Sequence, residues 1–141
     1  MPQASIQVRV PFADVDYSGR IHFTAMLRYM DMAEHELVRS MGFARATTLK
    51  DIAFPRVHVE CDYLSAISYD DELTIEAHVE RVGRSSWTVA FTARFTPQAE
   101  EEAQKGGEIA ARGKLTIVAM DPTTERARPL PDDFRAALAA D

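Results

Sequence analysis

The stretch FADVDYSGRIHF, residues 12–23, opens and closes on large apolar residues but carries two aspartates, a glycine, an arginine and a histidine between them. Asp14 and Asp16 fall between an alternating apolar run and a segment with helical spacing. A carboxylate in that place ordinarily caps the helix or shapes a turn. It can also serve as a nucleophile or a general base toward a carbonyl carbon. A helix opens with N–H groups that lack intrahelical acceptors and with a partial positive charge, which suits a developing oxyanion. Gly19 precedes Phe23 by four residues and lets the chain turn tightly and a ligand approach the backbone.

Other reactive side chains offer less. His22, His35, His58 and His78 are scattered without a metal-ligand spacing such as HExxH, so no metal site is expected. His22 is a candidate base by residue type, and His35 and His58 are read as members of ion pairs. Cys61 is the one cysteine, which excludes an internal disulfide and a cysteine-based metal site. Asp14 is expected to be structural, its carboxylate holding backbone N–H groups of its own loop.

The elements that must position these residues follow from periodicity. Ile6, Val8, Val10 and Phe12 alternate with Gln7 and Arg9, and Val57, Val59, Cys61 and Tyr63 alternate with polar neighbours. Leu73, Ile75, Ala77 and Val79 form a third such face, and Trp87, Val89, Phe91, Ala93 and Phe95 a fourth. Ile109, Ala111, Leu115 and Ile117 form the last. Period-two alternation predicts strands with one buried face in an antiparallel sheet. VGRSS, residues 82–86, reads as a hairpin turn with Gly83 at positive φ. The polar segment 97–107 is expected to be the least ordered.

Residues 24–41 break the pattern. Met26, Met30, Ala33, Leu37 and Met41 recur at helical spacing, with Gly42 as the C-terminal stop. Arg28, Asp31, His35 and Arg39 share another side, spaced for ion pairs. The methionine face is read as core, with an adaptable wall for an apolar ligand as the alternative. A helix of 18 residues extends about 27 Å, matching strands of about nine residues. The predicted architecture is an α+β domain spanning residues 1–141, a curved antiparallel sheet wrapped around one long helix. A short helix is expected near Pro131.

Composition bounds the function. A formal charge of -6 argues against nucleic acid, which needs a concentrated basic surface. The sequence has no run long and apolar enough to span a membrane. The N-terminus, MPQASIQVRV, lacks a signal-peptide layout, and a reducing cytoplasm is the expected location.

Element order and three stretches together resemble the hot-dog fold and its 4-hydroxybenzoyl-CoA thioesterase-like family. They are FADVDYSGRIHF running into MLRYMDMAEHELV, then SYDDELTIE at 68–76, and ERAR at 125–128. The resemblance implies an acyl-CoA thioesterase with Asp16 as the catalytic carboxylate and the backbone N–H near Phe23 as oxyanion donor. It implies that His22, Phe54 and Pro55 line the acyl site, with His22 not an acid–base group. It further implies that Arg84, Ser85, Arg126 and Arg128 hold the nucleotide part of coenzyme A, itself part of the substrate, so that no separate cofactor is needed. A homodimer, paired again into a tetramer, is implied as well. The turn VGRSS is poorer in basic residues than its counterpart in benzoyl-type enzymes. A hot-dog hydratase or dehydratase, with His22-Phe23 as a fragmentary match, and a non-catalytic acyl-CoA-binding module remain open alternatives.

Overall fold

Alternation over residues 3–9 becomes β1 (Gln3–Arg9), whose Ala4, Ile6 and Val8 turn toward the core while Gln7 and Arg9 face water. The computed structural model describes residues 1–97 and 107–141. After β1 come a short 3-10 turn (Phe12–Asp14), the helix α1 (Phe23–Ser40), and the strands β2 (Arg56–Tyr63), β3 (Glu72–Val82), β4 (Ser86–Phe95) and β5 (Ile109–Val118). A short helix, α2 (Asp132–Ala139), closes the chain. All strand pairs are antiparallel, in the order β1-β3-β4-β5-β2. The sheet lies against α1, as the periodicity predicts. Among the described residues, no helix is long and apolar enough to cross a membrane.

Helix α1 buries Ala25, Met26, Tyr29, Met30, Ala33, Leu37 and Val38. These pack with Leu73, Ile75, Val89 and Phe91 from the inner faces of β3 and β4. The helix approaches β5 so closely that a Cβ on Gly113 would lie 2.6 Å from Met30 Cε and 2.8 Å from the Glu60 carbonyl oxygen. The methionine face is therefore core. The helix ends as expected of a glycine stop. Gly42 sits at φ +89°, its N–H donates to Arg39 O at 2.9 Å, and Phe43 N–H donates to Val38 O at 3.3 Å.

Several expectations need correction. Phe12 does not continue the buried face of β1, because the chain leaves the sheet at Pro11 and the ring is exposed. The apolar side of β2 is largely open, with Val57 59%, Val59 44% and Tyr63 42% exposed. Alternation announces a face but not its cover, and β2 is an edge strand paired only with β5. In β5 the register slips opposite Ala93 and Arg94, so both Ala110 and Ala111 are buried while Ile109 is only half-buried. Gly83 is not at positive φ; a Cβ there would instead come within 3.2 Å of Ser86 Oγ, so the glycine serves closeness rather than handedness. Most of the expected loop at 97–107 lies outside the described residues.

Candidate active site

Residues 10–22 are fixed by backbone hydrogen bonds at both ends. Val10 N–H donates to Asp71 O at 2.9 Å, and Ile21 N–H donates to Ile67 O at 2.8 Å. Between them Val15 and Ile21 form an antiparallel bridge, closed by Asp16 N–H to Arg20 O at 2.8 Å. Gly19 completes the turn at φ +79°, a conformation that few residues with a Cβ adopt, and its N–H donates to Asp16 O at 2.9 Å. The turn therefore presents Asp16 outward from a rigid base.

The two aspartates have opposite environments. Asp14 is buried, and its carboxylate accepts from Tyr29 Oη at 2.6 Å and from Arg28 Nη2, both on α1. The Tyr29 hydroxyl and then the Arg28 guanidinium hold it below the usual carboxylate range, against the opposing pull of burial. Burial and the bond to Asp14 push the Tyr29 hydroxyl up. Asp14 thus holds the helix by its side chain, not the loop N–H groups as expected. Its carbonyl oxygen does hold the loop, accepting from His22 N–H at 2.8 Å.

Asp16 is exposed, and its Oδ1 accepts from the Ser18 hydroxyl at 2.6 Å and the Ser18 N–H at 2.8 Å. These two bonds lower its pKa and keep it ionised. Six residues along, His22 caps α1: its Nδ1 accepts from Thr24 N–H at 3.3 Å. Phe23 opens the helix and is 64% exposed, and its N–H donates to no acceptor among the described residues. The Tyr63 hydroxyl, at the end of β2, donates to the Phe23 carbonyl oxygen. Aromatic and aliphatic side chains stand open around this end, including Phe12, Tyr69 and Leu64, with the Phe12 and Tyr69 rings edge to face at 5.8 Å. An anionic oxygen, a free backbone donor and an apolar rim are the parts an acyl-transfer site needs.

The residues expected to hold the coenzyme gather elsewhere. Leu130 N–H donates to Arg84 O at 2.9 Å, Ala119 N–H to Ser85 O at 2.8 Å, and Arg128 N–H to Ala119 O at 2.9 Å. Arg126 lies on the adjoining turn, where its carbonyl accepts from Asp121 N–H at 2.9 Å. Arg135 of α2 joins this patch through Nε to Gly83 O at 3.1 Å. The Asp121 carboxyl is lowered by the Thr124 and Thr123 N–H groups and by the nearby Arg128 charge. The patch adjoins the finish of β3 and the Asp16 loop its start, so roughly 33 Å of strand separates them in one chain. Phe54 is also at the patch end, its ring 5.5 Å from Trp87 and 6.2 Å from Phe134, and Pro55 is bonded through its carbonyl to Val118 N–H at 3.1 Å. Within its own chain neither residue lines a space beside Asp16. A cavity of about 500 Å³ between β1 and α1, lined by Ile6, Met32, Val38 and Phe43, also lies away from that loop.

The sequence profile of the Thioesterase superfamily matches residues 18–99, more than half of the chain. The chain belongs to that superfamily. A 1,4-dihydroxy-2-naphthoyl-CoA hydrolase from Synechococcus sp. (strain CC9605) is 27% identical over 138 residues, covering 93% of this chain and 86% of the other. A 4-hydroxybenzoyl CoA thioesterase mutant complexed with 4-hydroxybenzoyl CoA superposes with TM-score 0.83 at 22% identity, covering 99% of this chain and 100% of that one. A 1,4-dihydroxy-2-naphthoyl-CoA thioesterase from Synechocystis gives TM-score 0.82 at 20% identity, over 96% of this chain and 95% of that one. The fold is therefore the hot-dog fold of these structures. The superfamily match begins two residues after Asp16 and does not itself touch that position.

Three features of this family member were not picked out of the sequence. Ser18 is legible in hindsight, since Asp-x-Ser is an Asx-turn pattern. Tyr63 is not, because its contact with Phe23 spans 40 residues. The third is Glu34, fully buried in α1, which accepts from Arg45 Nη2 at 2.5 Å and Arg56 Nη2 at 3.1 Å. Asp31 and His35 adjoin it, and donor atoms of the three lie within 4.8 Å of one another. Two guanidinium groups already balance the two carboxylates, so the cluster is an ion-pair network, as expected for His35. His58 is likewise 3.3 Å from Glu60.

Proposed function

We propose that this thioester hydrolase cleaves an acyl- or aroyl-CoA to the free acid and coenzyme A, with Asp16 as the reacting carboxylate and the Phe23 N–H as oxyanion donor. One observation carries the reading: an ionised, outward-facing Asp16 on a locked turn that leads into a helix-opening N–H with no acceptor among the described residues. A thioester carbonyl is reactive because sulfur donates poorly into it. The enzyme must therefore supply an attacking oxygen and a seat for the charge on the carbonyl oxygen.

Two routes use the same atoms. In the first, an Asp16 oxygen attacks the carbonyl carbon, the C–S bond breaks, and coenzyme A leaves as thiolate. Water then opens the mixed anhydride and regenerates the carboxylate. In the second, Asp16 takes a proton from a water that attacks directly. Both need Asp16 ionised, and the Ser18 bonds favour that form. An aroyl group suits the open rings of Phe23 and Tyr63, and the Synechococcus relative is named for a naphthoyl thioester.

The assembly belongs to the same proposal. An exposed apolar edge at Val57 and Val59 favours a homodimer joined along β2, and a further pairing would make a tetramer. With roughly 33 Å between Asp16 and the arginine patch in one chain, we assign Arg84, Ser85, Arg126 and Arg128 to substrate held by a neighbouring subunit's loop. Coenzyme A enters as substrate, and the reaction draws on no cofactor. A reducing cytoplasm is the proposed setting.

The experiment is free-thiol release from a panel of acyl- and aroyl-CoA thioesters. Release supports the hydrolase. Binding without release would favour a carrier module, and double-bond hydration without release a hydratase; either would overturn the proposal.

A further inference from the structure

His22 caps α1 through its imidazole, and that fixes which nitrogen holds the proton. The Thr24 backbone N–H can only donate, so the Nδ1 that receives it at 3.3 Å must present a lone pair. The Thr24 hydroxyl lies 2.7 Å from the same nitrogen and is free to donate as well. The opposite tautomer, with Nδ1–H donating to the Thr24 hydroxyl, would give up the bond from the Thr24 N–H and with it the side-chain cap. A neutral ring that accepts at Nδ1 carries its proton on Nε2.

That Nε2–H has no acceptor among the described residues. The ring is exposed and stacks on the Phe23 ring at 4.8 Å with 28° between planes, so Phe23 limits how it can turn. The Val15–Ile21 bridge closes the Asp16 turn immediately before His22, whose own N–H donates to Asp14 O at 2.8 Å, so both side chains stand on one fixed loop. Three groups of this loop and helix start are thus left, among the described residues, with unused hydrogen-bonding capacity: the outer oxygen of Asp16, the Phe23 N–H and the His22 Nε2–H.

We infer that His22 is a second hydrogen-bond donor of the active site, its Nε2–H serving, beside the Phe23 N–H, the charge that develops on the substrate as the thioester opens. The inference rests on the proposed thioester hydrolysis. It adds a side-chain donor held in one tautomer by helix capping. The neutral ring stabilises charge and transfers no proton, so the bonds made and broken are those already given.

Replacing the cap while removing the donor tests it. His22→Ser retains a good N-cap and lacks the imidazole N–H. The expected result is a fall in kcat of about 10²-fold, as for loss of one oxyanion donor, with KM little changed and the thermal midpoint held. A histidine that merely caps would leave kcat alone. In the intact protein, imidazole ¹⁵N spectra should show Nδ1 unprotonated and Nε2 protonated. Adding a non-hydrolysable thioether analogue of the best substrate should move the Nε2–H resonance. Unchanged kcat in a folded His22→Ser variant, an Nδ1–H tautomer, or an Nε2–H indifferent to the analogue would each overturn the inference. If Asp16→Asn abolishes thiol release while His22→Ser does not, only the His22 inference falls. If the wild-type protein releases no thiol, the function and the inference fall together.

Discussion

The two ends of α1 are built differently. At the trailing end the backbone is tied off: Gly42 turns the chain, and the Val38 and Arg39 carbonyls take the next N–H groups. Beyond it Phe43, Phe54, Trp87 and Phe134 pack ring against ring, with Phe43 5.1 Å and Trp87 5.1 Å from Phe134. At the leading end the cap is a histidine, the first N–H has no acceptor among the described residues, and Phe23, Leu64 and Tyr69 are exposed. Apolar surface and free polar groups left open together are what a ligand or a second subunit can use. The trailing end holds the fold; the leading end carries the proposed reaction site.

That contrast predicts which substitutions move stability and which move turnover. The largest stability effect is expected from Phe134→Ala at the closed end, a loss of about 3–5 kcal/mol from emptying the aromatic cluster. Chemical unfolding would measure it, and kcat in the surviving folded protein should be near wild type. A matching collapse of kcat would break the contrast.

Asp14→Asn at the open end should cost about 1–3 kcal/mol, because the bonds from Tyr29 and Arg28 cannot both be kept. It also has a pH signature. Asp14 is lowered from its ordinary value of 3.8, so its stabilising contribution is full above that pH and is lost as pH falls through the lowered folded-state value. Melting curves taken downward from about pH 5 should converge for wild type and variant at the acid end. A constant gap would contradict the assignment.

Gly42→Ala, which forces a Cβ into the left-handed region, should cost about 1–2 kcal/mol with turnover intact. The smallest effect is expected from Ser18→Ala. Stability should hardly change, but the acid limb of kcat/KM should move part of the way up toward the ordinary carboxylate value of 3.8, because the hydroxyl bond is lost while the backbone N–H of residue 18 still donates. An unmoved limb would mean that Asp16 does not titrate in the rate.

The fold was legible where local pattern determines it. Helical spacing of Met26, Met30, Ala33 and Leu37 located α1 to within a residue, and Gly42 marked its end. Alternation found all five strands but not what lies over them, so Val57 and Val59 were assigned a burial that one chain does not provide. A bulge shifts burial by one residue without a sequence mark, which is why Ala110 was missed. The Asp16 loop was singled out by its residue types, yet the partners of Asp14 lie 14 and 15 residues onward on another element. The distance between Asp16 and Arg84 emerges only once β3 is known to run between their two ends of the sheet.

The most direct test of the central claim is thiol release by Asp16→Asn, with the best acyl-CoA substrate at saturation. The variant keeps the turn's size and loses the ionised oxygen. The account predicts a fall in kcat of about 10²-fold or more with an unchanged thermal midpoint. A folded variant that keeps more than about a tenth of wild-type turnover would contradict it.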